Sequence, residues 1–156
     1  MERLKYMQLL RGDAQHIRLL AELLTDYNRE IAPEWTERSA ELAVRLIGET
    51  GASGSHLEIV FAPQESGGQS VAGFVWGQID SAGRGFVREF YVKPEYRRRG
   101  YGSDIFRHLE SCFARDGAAE AWLTAGDSAR EFWESVGFVK TGVTADFNGL
   151  PVYTKR

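Results

Sequence analysis

A single cysteine, Cys112, stands in a chain of 156 residues, so no disulfide can close within it and a reducing compartment fits. No apolar run approaches the ~18 residues that cross a bilayer, and the opening residues lack the apolar stretch of a signal peptide. A cytoplasmic protein without a membrane partner is expected. Gly-Lys-Ser/Thr is missing, and with it the lysine and the Mg²⁺-binding hydroxyl of a nucleotide-triphosphate loop. The one Arg/Gly-rich loop lacks Gly-x-Gly-x-x-Gly, which excludes a dinucleotide fingerprint there. The net charge of −3 shows no basic excess, so nucleic acid is not expected as a partner. His56 opens an apolar run and reads as a surface residue; no second His/Cys/Asp set completes a metal site with it, and no metal is expected. Cys112 falls on the apolar stripe of a helix and reads as a small buried hydrophobe rather than a nucleophile. Internal repeats, linkers and low-complexity tracts are also missing.

What remains is one domain spanning residues 1–156, long enough for a real core. Its 43% hydrophobic and 26% charged content is that of a globular protein. Residues 4–10 read as an opening strand and Asp13 as a helix N-cap. Ile17, Leu20, Leu24, Tyr27 and Ile31 then trace a helix face that Pro33 ends. Trp35, Ser39, Leu42 and Leu46 trace a second helix, closing at Gly48. Residues 51–55 read as a flexible connection. Residues 56–61, 71–79 and 86–92 read as an antiparallel meander. Val71, Gly73, Val75, Gly77 and Ile79 occupy one face of its middle strand, with Phe74 and Trp76 on the other. Ile105, Leu109, Cys112 and Phe113 predict a helix over 102–115, followed by a strand over 121–125. Ser128-x-x-Glu131 reads as a capping box opening a last helix, whose Phe132 and Val136 face the core. Residues 138–141 and 152–155 close the sheet.

The stretch from Phe86 to Ser103 organises the rest. It reads as a strand, a stop at Pro94, an Arg/Gly loop and the first turn of a helix. The first N–H groups of a helix lack intrahelical acceptors, and the macrodipole adds partial positive charge there. Gly100 and Gly102 carry no Cβ, so an anion can approach the backbone, and Arg97, Arg98 and Arg99 add forked donors. Between Arg84 and Arg107 there are seven basic residues against three acids (Glu89, Glu95, Asp104), in a chain that is acidic overall. The loop is a candidate pyrophosphate cradle for a polyanionic small molecule.

Arg97-x-x-Gly100-x-Gly102 resembles the Arg/Gln-x-x-Gly-x-Gly/Ala signature of the GCN5-related N-acetyltransferase (GNAT) superfamily. The preceding Phe90 to Tyr96 looks like that family's fourth strand and its exit. Ala129-Arg130-Glu131-Phe132-Trp133-Glu134-Ser135-Val136-Gly137-Phe138 is similar to its second motif, Ala-x-x-Phe-Tyr-x-x-x-Gly-Phe. Together these cover roughly the last half of the chain. The resemblance implies a mixed α/β fold: a central, mostly antiparallel sheet whose fourth and fifth strands splay apart, flanked by about four helices. It also implies acetyl-CoA as cosubstrate. The pyrophosphate would lie on the amides of Arg98 to Ser103, Tyr101 included, with Arg97, Arg98 and Arg99 assisting. The pantetheine arm would lie along Phe90, Tyr91 and Val92. A bulge commonly opens the backbone there, and an amide near Tyr91 or Val92 would polarise the thioester carbonyl.

The reaction so implied is direct attack of a primary amine of a small molecule or peptide on the thioester in a ternary complex. It needs a base for the ammonium, and Glu89, a carboxylate in an otherwise apolar strand, is the first candidate. The competing reading is a structural ion pair; strand alternation puts Arg88 on the opposite face. Trp133 stands where many relatives have the tyrosine that reprotonates the thiolate, and indole cannot do so; it reads as a wall of the pocket. Tyr91 and Tyr153 are substitutes of lower standing. The family's Asn before the last helix is also missing. Glu34, Glu37 and Glu41 read as a solvated surface, with attraction of a cationic acceptor as the minority reading. The alternative function is a CoA-binding sensor or regulatory module without turnover. Association into a homodimer is left open.

Overall fold

A computed structural model describes residues 3–49 and 54–156. Seven strands form one sheet: β1 (Lys5–Gln8), β2 (Ser55–Pro63), β3 (Gln69–Ile79), β4 (Gly85–Val92), β5 (Ala121–Thr124), β6 (Val139–Thr144) and β7 (Pro151–Lys155). Their order across the sheet is β1-β2-β3-β4-β5-β7-β6, and β4–β5 is the parallel pair in an otherwise antiparallel sheet. Four α-helices flank it: α1 (Ala14–Ile31), α2 (Ser39–Gly48), α3 (Tyr101–Arg115) and α4 (Arg130–Ser135). No helix among the described residues is long and apolar enough to cross a membrane. Residues 51–53 of the expected flexible connection lie outside the described residues.

Strand alternation sends apolar side chains to both faces, and each face holds its own core. Leu20, Leu23 and Leu24 of α1 and Ala43, Leu46 and Ile47 of α2 pack on Leu57, Ile59, Phe74, Trp76 and Tyr91. On the other face Ile105, Phe106, Leu109 and Phe113 of α3 and Trp133 of α4 pack on Val60, Val75, Val87, Leu123 and Tyr153. The meander and the apolar faces of α1 and α3 match the expectation from spacing, and Asp13 caps α1 by accepting from the N–H of Gln15 (3.0 Å) and His16 (3.1 Å).

Four local expectations fail, each for a physical reason. The helix anticipated from Trp35 is split: Pro33–Arg38 is a 3₁₀ turn, and α2 begins only at Ser39. Buried Asn28 holds that turn, donating to the Trp35 carbonyl (3.4 Å) and to Ser39 Oγ (3.2 Å). The Ser128–Glu131 capping box does not form, because Asp127–Ala129 is itself a 3₁₀ turn and α4 starts at Arg130 with no side-chain cap. Val71 does not share a face with Val75: the register passes from Val60↔Gly73 to Phe61↔Val71, so Ala72 is an extra residue and Val71 joins the α1/α2 core. Ile31 closes the apolar stripe of α1 but is 60% exposed.

Candidate active site

β4 decides the geometry. It pairs with β3 along its length but with β5 only at Gly85↔Ala121 and Phe86↔Trp122. Beyond Phe86 the two strands part, leaving one edge of β4 from Arg88 to Val92 without a neighbouring strand. The opening is a cavity of about 430 Å³, within the range of small-molecule sites. Its floor is Phe90, Tyr91 and Val92, one wall is Ala129, Phe132 and Trp133, and the other is Tyr27, Glu30 and Ile31 of α1. Arg97, Arg98, Gly100, Gly102 and Ser103 close the end where α3 begins.

That end is built from unusual backbone. Arg98 has φ +62 and Gly100 has φ +80, both in the left-handed region that only glycine adopts freely. Such conformations turn amides toward one side and make concave anion sites. No side chain caps α3, in contrast to α1 with its Asp13 cap. A Cβ at Gly100 would meet open space, as the edge of a cavity requires. Gly102 differs: a Cβ there would stand 2.8 Å from Phe132 Cε1. The neighbour it already makes room for is therefore an aromatic ring of α4, in addition to any phosphate.

Of the binding residues expected from sequence, Arg99 and Tyr101 do not line the cavity; the guanidinium of Arg99 lies 5.6 Å from the Tyr96 ring centre instead. Arg97 lines it but is also committed. Its Nε donates to the Val92 carbonyl at 2.8 Å and its guanidinium pairs with Glu30 at 2.8 Å, which fixes the strand exit against α1. Trp133 is 7% exposed and meets Phe90, Phe106, Phe132 and Phe138 with ring centres 4.8–6.0 Å apart. It is a wall of the cavity, as its chemistry required. Tyr153 is fully buried in the α3-side core and does not reach the cavity, whereas Tyr27, Tyr91 and Tyr96 do.

Glu89 sits behind the cavity rather than on it. The register passes from Trp76↔Glu89 to Gly77↔Val87, so Arg88 is an extra residue on β4, a bulge. The bulge overturns the expected alternation: Arg88 and Glu89 both face the α1 side. The Arg88 guanidinium lies 4.1 Å from the ring centre of Trp76, and the Glu89 carboxylate accepts a short hydrogen bond from the hydroxyl of Tyr27. Burial holds the Glu89 carboxyl above the usual glutamate range, against the opposing pull of the Tyr27 hydrogen bond and the Arg88 charge. Burial, then the Glu89 charge, raises the Tyr27 phenol in turn, so it stays protonated. Burial also pushes Tyr91 up to about 12, with Glu30 adding to the shift.

Tyr27 was read from sequence only as part of a helix face. No local signal could have added more, since its partner lies 62 residues away. The same holds for the acids beside the cavity. A second hollow of about 460 Å³ adjoins it, shares Glu30 and Tyr91, and carries Asp26 and Glu95. These and Glu89, rather than Glu34, Glu37 or Glu41, are carboxylates beside the cavity. Glu41 is paired with Arg38 on the outer surface at 3.1 Å.

Away from the cavity, the expectation that His56 stands alone is overturned. His56 and Glu58 of β2 meet Cys112 of α3, and His108 joins them, 3.0 Å from Glu58 and 3.8 Å from the Cys112 sulfur. Cys112 is buried as expected, yet it is not a plain hydrophobe.

Residues 18–138 match the sequence model of the acetyltransferase (GNAT) family. Among solved structures, the PaiA N-acetyltransferase of Thermoplasma acidophilum, crystallised with coenzyme A, is similar with a TM-score of 0.73 and 17% identity over 99% of each chain. Tetrahymena GCN5 gives 0.70 and 17%, covering 97% of this chain and 94% of that one. An aminoglycoside 6′-N-acetyltransferase complexed with coenzyme A gives 0.69 and 16%, covering 97% and 96%. At these identities the likeness establishes the fold. No curated protein matches the sequence significantly.

Proposed function

Because the chain belongs to the acetyltransferase (GNAT) family, we propose that it transfers the acetyl group of acetyl-CoA to a primary amine, with the cavity between β4 and α4 holding the thioester. One observation carries this reading: β4 and β5 separate after two paired residues, and the gap leads to an uncapped helix start. Phe90, Val92, Ala129, Phe132 and Trp133 give the gap an apolar stretch suited to an extended arm. The amides of Arg98 to Ser103, preset by two left-handed residues, suit a diphosphate. Arg98 is the arginine best placed to assist, since Arg97 is engaged with Glu30 and Arg99 stands outside the cavity.

Bound there, acetyl-CoA supplies a thioester carbonyl open to nucleophiles. The protein's part is to hold it, donate to its oxygen and take a proton. The unpaired edge of β4 offers amides near Tyr91 and Val92 as donors. The amine arrives as an ammonium of pKa ~10 and must lose a proton before attack. Glu89 is the acceptor, reached through Tyr27: the phenol hands its proton to the carboxylate as it receives one from the amine side. A raised carboxyl pKa suits this task, because a base works best when its pKa lies near the working pH. The departing thiol ionises near ~8.5 and needs no protein acid, which accommodates Trp133. The adjoining hollow, lined by Asp26, Glu30 and Glu95 together with Arg29 and Lys93, is where the acceptor would enter; Asp26 and Glu30 are paired with Arg29 and Arg97.

A thiol-release assay with acetyl-CoA against aminoglycosides, polyamines, amino acids and peptide N-termini tests this. Saturable release is expected with at least one amine of the panel. Tight acetyl-CoA binding without release across the panel would favour a sensor instead.

A further inference from the structure

At the far end of α3 from the cavity, His56, Glu58, His108 and Cys112 converge between β2 and α3, and we propose that they form a structural zinc site. The proposal is independent of the acetyl-transfer reading. Cys112 lies about 16 Å along the helix from Tyr101, at ~1.5 Å per residue.

The donor set is the first argument. Two imidazoles, a thiolate and a carboxylate are ordinary zinc ligands, and four protein donors make a closed, structural site. One thiolate and one carboxylate neutralise a divalent ion, so the complex adds no net charge to the interior.

Geometry is the second. Around a tetrahedral zinc with bonds of ~2.1 Å to N or O and ~2.3 Å to S, ligand atoms stand about 3.3–3.7 Å apart. Here His108 Nε2 is 3.0 and 3.1 Å from the two Glu58 oxygens and 3.8 Å from Cys112 Sγ. The ligand atoms of His56, Glu58 and Cys112 lie within 4.8 Å of one another. Closing on an ion requires side-chain shifts that draw the His56, Glu58 and Cys112 donors in from separations of up to 4.8 Å.

The surroundings are the third. Asp116 holds Nε2 of His56 at 2.6 Å, leaving Nδ1 for the metal; a carboxylate on the second ring nitrogen is how metal-binding imidazoles are usually oriented. Tyr6 stacks on His108 with ring centres 3.6 Å apart and fixes the plane of that imidazole. Cys112 is 2% and Glu58 7% exposed. A carboxylate on an inner strand position is costly unless paired; Glu58 is paired with the His108 imidazole at 3.0 Å, and a divalent ion would take over that pairing. The Arg115 guanidinium, 3.1 Å from the sulfur, is exposed and free to swing into solvent. Metal ligands bind deprotonated, so the ion displaces the protons held within the cluster, the one on His108 Nε2 facing Glu58 among them, and these pass to buffer.

Co²⁺ serves as the spectroscopic stand-in. The full chain is treated with EDTA, desalted and titrated. The expected result is a near-ultraviolet thiolate-to-cobalt band with tetrahedral visible absorption, saturating at one equivalent and bleached by zinc. Cys112→Ser loses the near-ultraviolet band. Glu58→Gln keeps it but binds at least ~10-fold more weakly, the scale on which such shells act. His16→Ala, remote from the cluster, changes nothing. A wild-type protein with no near-ultraviolet band at one equivalent overturns the site whatever the variants do, and so does a band that survives in Cys112→Ser.

Discussion

The proposed reaction places its proton acceptor in one side chain, Glu89. Its carboxyl is enclosed under Tyr27, and burial favours the protonated form. Between the ordinary glutamate value of ~4.3 and its raised native value, the folded chain holds a proton that the unfolded chain has lost. Stability contributed by this group therefore falls as pH rises through that window. Glu89→Gln removes the dependence. Thermal melts should show the variant above wild type on the alkaline side of the window and level with it below ~pH 4. Activity runs the opposite way, because only the ionised form accepts a proton. The ascending limb of kcat/KM against pH should lie above the usual carboxylate range and vanish in Glu89→Gln. That variant should lose about 10²–10⁴ in kcat, the range of a general base, with acetyl-CoA affinity unchanged. Tyr27→Phe keeps the ring but deletes a hydrogen bond that stabilises the charged carboxylate. With the relay cut, its kcat should fall about as far as in Glu89→Gln, and a rate and pH profile identical to wild type would take Tyr27 out of the proton path.

The elements divide by how local their causes are. α1 and α3 were legible because a buried helix face writes itself as apolar residues at three- and four-residue steps. Asp13 was legible because a cap needs only its own next three residues. The two bulges, at Ala72 and Arg88, were not. A bulge is a mismatch between two strands, and neither strand's sequence contains it. The family resemblance implied a bulge in β4 near Phe90 to Val92, but not its place at Arg88, which aims Glu89 at Tyr27. The close fit of β3 against β4 near the cavity depends on Gly73, where a Cβ would come within 1.9 Å of the Tyr91 carbonyl oxygen. Backbone cannot yield there without separating the strands. Gly73→Ala should cost about 2 kcal/mol or more, in the range of overpacking, and lower Tm by roughly 2–4 °C per kcal/mol. It should also weaken acetyl-CoA binding, since Tyr91 and Val92 form the cavity floor. A calorimetric scan and a binding titration on the same sample check both.

At the level of the whole molecule, the site is where distant segments meet. The Arg/Gly loop and the Phe132–Trp133 wall could be read from sequence, because each motif lies within a dozen residues. The acidic side could not. Glu30 reaches Arg97 across 67 residues and Tyr27 reaches Glu89 across 62, pairings that only the packing of α1 on the sheet creates. The same packing leaves Glu34, Glu37 and Glu41, on the turn before α2 and in its first turn, on the outer surface, as their favoured reading had it. That segment covers the α1 side of the sheet and turns Glu41 outward. The opening proposed for the thioester likewise belongs to topology: β5 arrives through the α3 crossover and pairs with β4 for only two residues. The account stands or falls on whether that opening and the start of α3 hold one ligand together. Backbone-amide NMR during titration with acetyl-CoA measures this directly. The prediction is saturable shifts confined to the amides of Phe90 to Val92 and Arg98 to Ser103 and their immediate neighbours on α4. Shifts that leave those two stretches unmoved while others saturate would contradict it.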